Sequence, residues 1–327
     1  MPRLVIPNSV ALHNIRAFVA NNRPFTTQGS KAALEFNPRW VHMEPVALAM
    51  VAAWGAWARR QGFQLVAENL GRKTAYAGRM RLFQLLGVDF DPGLMEREEA
   101  GRFVPLTQVT RSAEVSGVIA DISALLHLHQ DPETLSAVQY CVSELLRNVL
   151  EHAGSPEGAF VCAHRYTERG PHRVTIAVAD CGRGIAAHLG RVHAEAARND
   201  SAALSLAMKP GVTGAPPGVY GTPDNAGAGL FITRSIAKGS GGYFFLLSGR
   251  AGYRLRRGLT DDAMTELFLD PLAEPRHDLY EFEHGWQGTV VSVEIRTEKI
   301  ADYDGFFRWI FERVPRRETM RDRIRFT

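Results

Sequence analysis

Glu144-Leu145-Leu146-Arg147-Asn148-Val149-Leu150-Glu151-His152 lies on a predicted helix, and the rest of the chain is read outward from it. Asp131 can cap that helix, Pro132 suits its first position, and Gly154 follows its end. Leu135, Val138, Val142, Leu145 and Val149 form one apolar face. Glu144, Asn148 and His152 recur every four residues, so they share a neighbouring stripe. A carboxylate and an amide oxygen on one stripe can hold a hard cation such as Mg²⁺, with a water beside it. Taken alone, the same spacing also describes an amphipathic helix with a polar outer face.

Three later segments change the weight of that alternative. Val174, Ile176 and Val178 alternate as in a half-buried strand, which ends in Asp180-Cys181-Gly182-Arg183-Gly184. A carboxylate at a strand end is often a turn residue, but glycines two and four positions on let backbone approach a flat ligand. Gly227-Ala228-Gly229-Leu230 opens a second helical run. Glycines at a helix start leave N–H groups free for phosphate oxygens, and the helix dipole favours the anion. No Gly-Lys-Ser/Thr follows, so this is not a P-loop. Gly288-Thr289 enters a late strand, where Thr289 is equally a β-branched strand residue.

Together and in this order, the four segments resemble the ATP-binding domain of the GHKL superfamily, which includes gyrase, the heat-shock chaperone ATPase, MutL, histidine kinases and anti-sigma-factor kinases. The resemblance runs from about residue 110 to 297. It implies ATP and Mg²⁺ as ligands, with Asn148 holding Mg²⁺ between the phosphates. Where the family is catalytic, the position of Glu144 activates the attacking nucleophile. Asp180 would accept a hydrogen bond from the adenine amino group, Gly182 and Gly184 would shape the pocket, and Thr289 would support adenine through water. Gly227, Gly229 and Leu230 would open the phosphate-side helix. The stretch from about 191 to 226, rich in Gly, Pro and Ala, corresponds to the family's ATP lid. Its composition predicts a mobile segment that orders over ATP. Lys209 and Thr213 are its candidate phosphate contacts, although Lys209 also reads as a solvated lysine. The implied fold is a mixed, mostly antiparallel sheet covered by helices on one face.

Residues 1–91 read as a separate unit. Ala33-Leu34-Glu35-Phe36 predicts a strand, Val46–Gln61 an apolar helix after Pro45, Gln64-Leu65-Val66-Ala67 a strand and Ala75–Leu86 a helix. This alternation makes a small α/β layer. The order resembles the STAS fold of anti-sigma-factor antagonists. Those proteins carry a phosphorylatable serine before the apolar helix. Here His42-Met43-Glu44-Pro45 stands instead, with Glu44 near the phosphoserine position. Glu44 reads either as a built-in negative charge or as a first-turn carboxylate favoured by the helix dipole. The predicted organisation is a two-domain α/β and α+β chain: a STAS-like domain at 1–91, a linker at 92–111, a GHKL domain at 112–298, and an aromatic helix with a basic tail at 299–327.

The 327 residues and 45% apolar content suit two ordinary cores, and a net charge of +3 is too mild to argue for nucleic acid. Arginines in the tail are interleaved with Glu312, Glu318 and Asp322, which favours a solvated or partner-docking segment. Cys141, Cys162 and Cys181 lack paired spacing, so neither disulfides nor zinc are expected. No signal peptide is evident, and the apolar run from Val46 to Ala58 is too short to span a bilayer. These features predict a cytoplasmic protein acting with a protein partner, and they leave a homodimer open.

The expected activity is that of a nucleotide-dependent regulator, with slow ATP hydrolysis or an active ATPase left open by Glu144. The alternative is a serine/threonine kinase of a protein partner. A histidine kinase needs a long two-helix hairpin, and the short helix near His127 and His129 cannot form one.

Overall fold

A computed structural model of the protein describes residues 1–91, 102–128, 132–167, 172–214, 227–258, 268–299, 305 and 307–309. Asp131, residues 215–226 of the expected lid, 92–101 of the expected linker and most of the tail lie outside the described residues; the rest of the expected linker is no linker, since Phe103–Val109 pairs into the second sheet. Near the N-terminus, β1 (Arg3–Ile6), β3 (Lys31–Phe36) and β5 (Gln64–Glu68) form a parallel sheet in the order β1-β3-β5. Parallel neighbours need crossovers, and α1 (Ile15–Ala20) and α2 (Pro45–Arg60) lie on them. A short parallel pair, β2 (Ser9–Val10) with β4 (His42–Met43), stands beside this sheet. The expected helix over 75–86 is split into α3 (Ala75–Arg79) and α4 (Leu82–Leu86), because Arg81 between them adopts φ +60°.

Glu44 is buried, and its Oε2 accepts the backbone N–H of Leu12 at 2.9 Å. The carboxylate therefore ties the start of α2 to the segment that follows β2.

The second unit is built on a sheet in the order β6-β7-β8-β10-β9: β6 (Phe103–Val109), β7 (Ala159–Tyr166), β8 (Arg173–Ala179), β10 (His277–Arg296) and β9 (Phe244–Leu255). Every pairing in it is antiparallel, where a mixed sheet was expected. One face carries α5 (Val115–Leu125), α6 (Pro132–Asn148) and α9 (Gly229–Gly239), packed on Val161, Val174, Ile176, Val178 and Leu246.

The other face is covered as well, which corrects the expectation of helices on one side only. Phe160, Cys162, Ala177, Ala179, Phe245 and Leu247 point away from α6 and share a core with α2 and the N-terminal unit. β7, β8 and the first part of β9 are apolar on both faces, and burying both requires a layer on each. Helix α2 supplies the second layer. All its residues from Pro45 to Ala58 are buried, as expected of a helix that is apolar all round. Its small residues allow close approach; a Cβ on Gly55 would run into Leu86. Tyr76 from α3 bonds His164 from β7 at 2.7 Å across the same boundary, and burial pushes the His164 imidazole down to about 4. The two units are thus continuous through one hydrophobic core. Among the described residues no helix is long and apolar enough to cross a membrane.

Candidate nucleotide site

A single cleft between α6, the end of β8, the start of α9 and β10 collects most of the residues singled out by the sequence. It is lined by Glu144, Asn148, Asp180, Gly184, Thr213, Gly227, Gly229, Leu230 and Thr289, together with His152 and His188. Gly182 and Lys209 do not line it. Gly182 lies behind Asp180, and the Lys209 ammonium pairs with Asp270 at 3.6 Å.

Asp180 is fully buried at the C-terminal end of β8. Its Oδ1 accepts the Gly182 N–H at 2.7 Å, and its Oδ2 accepts the Thr289 N–H at 3.2 Å. Burial pushes this carboxyl up to about 7, and the two N–H bonds act against that rise. The backbone around it leaves room for nothing but glycine at two points. A Cβ on Gly182 would collide with the Ala153 carbonyl, and one on Gly288, at φ +84°, with the Asp180 carbonyl. Ser248, from β9, was not legible as a site residue. Its Oγ accepts the Ile185 N–H at 2.9 Å, donates to the Gly288 carbonyl at 2.8 Å, and lies 3.5 Å from Thr289 Oγ1. It therefore pins the loop after Gly184 to the strand that carries Thr289.

On the opposite side, α6 ends at Asn148 and continues as one π-turn, Val149–Ala153, closed by Gly154 at φ +57°. Such turns shift the helix register and recur at functional sites. Here the turn brings the His152 ring onto that of His188 from α7 (Gly184–Leu189), with centroids 4.7 Å apart. Burial and the neighbouring His152 push His188 down to about 4, and its Nε2 is buried with no hydrogen-bond partner. Nothing in the local sequence pattern around His188 marks it as a site residue.

Glu144 is mostly buried, and its carboxyl lies against Gly229, where a Cβ would collide with Oε2. Burial raises the Glu144 carboxyl, and Arg147, at 3.8 Å, opposes the rise. Helix α9 starts at Gly229 with no side-chain cap, so its first N–H groups are left to solvent or a ligand. Gly227, at φ +81°, packs against the Val212 carbonyl, and its own carbonyl accepts the Gly211 N–H at 3.1 Å.

The expected lid is in part a packed structure. Within it α8 (Asp200–Ala207) buries Ala203, Leu204 and Leu206 and is capped by Asn199. Its apolar residues are few but well placed, which corrects the expectation that little in the segment through 214 could anchor it. Cys181, the residue after Asp180, is buried against the N-terminal core, and burial holds its thiol far above the ordinary range, in an inert form.

Residues 109–239 match the family model of the histidine kinase-like ATPase domain. The matched segment carries Glu144, Asn148, Asp180, Gly227 and Gly229 and stops before β9 and β10. It supports a GHKL-type ATPase domain and, with it, ATP binding in a regulatory role. No curated protein and no solved structure matches the chain.

Proposed function

We propose that the cleft binds Mg·ATP and that the protein is a regulator whose nucleotide state is relayed to its N-terminal, STAS-like unit or to a protein partner. One observation carries this proposal above the others: a buried carboxylate, Asp180, has both oxygens oriented by backbone N–H groups at one end of the cleft, while the uncapped start of α9 lies at the other. The first arrangement suits the exocyclic amino group of adenine, and the second suits phosphate oxygens.

The residues present fit Mg²⁺ bound chiefly through the nucleotide. Asn148 supplies an amide oxygen on the cleft wall. Among the described residues no group of three or more His, Cys, Asp or Glu could hold a metal by itself. When bound, Mg²⁺ would draw charge from the phosphates; the chain's own groups would position the nucleotide and exclude water.

A second activity is favoured by Glu144. Its raised carboxyl and its place beside the first turn of α9 suit a general base near the terminal phosphate. Hydrolysis, or transfer to a serine or threonine of a partner, would then follow. Incubating the full chain with γ-labelled ATP separates these outcomes. Label released as phosphate marks an ATPase, label on an added protein a kinase, and label retained in bound ATP a binding switch. No ATP binding at millimolar nucleotide with Mg²⁺ would overturn the proposal.

A further inference from the structure

The stretch Trp286-Gln287-Gly288-Thr289 of β10 is attached at both ends to different parts of the molecule. Its ladder with β9 is irregular on both sides of Trp286, between Glu281 and Trp286 and between Trp286 and Thr289. Irregularities of this kind redirect side chains at a strand. Trp286 turns into the core shared with the N-terminal unit. Its ring meets Phe25 edge-on with centroids 4.9 Å apart, and Phe25 meets Trp57 of α2 at 5.0 Å. The next three residues all hold the strand end that carries Asp180. Gln287 Nε2 donates to the Cys181 carbonyl at 3.2 Å. Gly288 passes so near the Asp180 carbonyl that a Cβ added to it would collide with that oxygen. Thr289 donates its N–H to the Asp180 carboxylate, and its carbonyl accepts the Asp180 N–H at 2.9 Å. Asp180 and Cys181 complete the pattern, because Cys181 faces α2 while Asp180 faces the cleft.

We propose that Trp286 is a positioning residue for the base-binding end of the cleft, and that the N-terminal unit acts on the nucleotide through it. The inference rests on the nucleotide assignment made above. Trp286 is nearly fully buried, and its Nε1 has no hydrogen-bond partner. It is therefore held by the shape of the surrounding aromatic rings rather than by a polar anchor. A shift of α2 or of Phe25 moves the ring, and three residues later the same backbone supplies one of the two N–H groups that orient Asp180. The phosphate end is built on α6 and α9, on the other face of the sheet, and lies outside this linkage.

The test uses the full chain and compares affinity for ATP and GTP by calorimetry, with folding checked by circular dichroism. Phe25→Leu and Trp286→Leu should each weaken ATP about tenfold, the size of one buried hydrogen bond to a charged group. The preference for ATP over GTP should shrink by the same factor. Trp286→Phe keeps a ring and removes the unpartnered N–H, so it should retain wild-type affinity. Phe83→Leu lowers packing in the N-terminal core away from Trp286, against Phe36 and Phe90, and should leave both affinities unchanged. Should Trp286→Leu fail to fold, Phe25→Leu carries the test alone. Folded Phe25→Leu with wild-type ATP affinity and base preference would overturn the inference while leaving the nucleotide assignment intact. A wild-type chain that binds no adenine nucleotide would overturn the assignment itself.

Discussion

Replacing Asp180 with Asn should move nucleotide affinity and fold stability in opposite directions at alkaline pH. The carboxylate accepts two backbone N–H groups, from Gly182 and Thr289. An amide can accept only one and turns its NH₂ towards the other donor. The lost acceptor for adenine and the disturbed orientation should each cost about 1–3 kcal/mol. Affinity for ATP and ADP alike should fall more than tenfold. The ionised carboxylate is itself expensive to bury. Its pKa is raised to about 7 from 3.8, so the stability it contributes is present below pH about 4 and is lost as pH rises through about 7. A rise of that size corresponds to a cost on the order of 4 kcal/mol at pH 8. Asp180→Asn should therefore lose least stability, or gain some, at pH 8, and compare worst with wild type near pH 4. In the wild type, a protonated Asp180 is a weaker acceptor for the adenine amino group than the carboxylate and presents an O–H donor beside it. ATP affinity should rise about tenfold between pH 6 and pH 8, with net proton release below pH 7. Calorimetry in two buffers of different ionisation enthalpy reads both quantities, and thermal melts from pH 4 to 8 read the stability term. Unchanged ATP and ADP affinity in the variant, or a wild-type affinity flat with pH, would refute the assignment of Asp180.

Other outcomes follow from the same geometry. Asn148→Ala should lose mainly the Mg²⁺-dependent part of ATP affinity, seen by titration with and without Mg²⁺. Glu144→Ala should keep ATP binding while any turnover falls about 10²–10⁴-fold, measured by phosphate release. Gly55→Val should overpack α2 against Leu86 and lower stability by about 1–3 kcal/mol in denaturant unfolding. Cys181 should resist a thiol reagent in the native protein and react at once after unfolding.

How much of this was legible depends on how local each signal is. Capping, four-residue spacing and strand-end glycines are local, so the start of α9, the stripe of Glu144 and Asn148 and the strand before Asp180 lie where the sequence put them. The expected N-terminal strands and α2 also appear within a few residues of expectation. The second layer was hidden because a run such as Phe244-Phe245-Leu246-Leu247 says that both faces are apolar without saying what covers each. Ser248 and His188 reach the site only through long-range pairing, and neither residue type marks itself in isolation. Lys209 was a candidate because lysines bind phosphates, but nothing near it in sequence could show that Asp270 would claim its charge. Helix α8 escaped notice because only three apolar residues, Ala203, Leu204 and Leu206, suffice to anchor it.

The burial of α2 also has a consequence for synthesis. A ribosome making about 5–20 residues per second completes α2 on the order of ten to forty seconds before it reaches Trp286 and Val290. For that interval the helix has its β5 and α4 neighbours but not the wall of β8, β9 and β10 that covers its other side. A nascent chain in this condition displays a long stripe of Ala, Val, Met and Trp to solvent, and the native closure waits on contacts more than two hundred residues away in sequence. Chains truncated before β9 should therefore aggregate more readily than the full chain, because α2 keeps its apolar wall exposed.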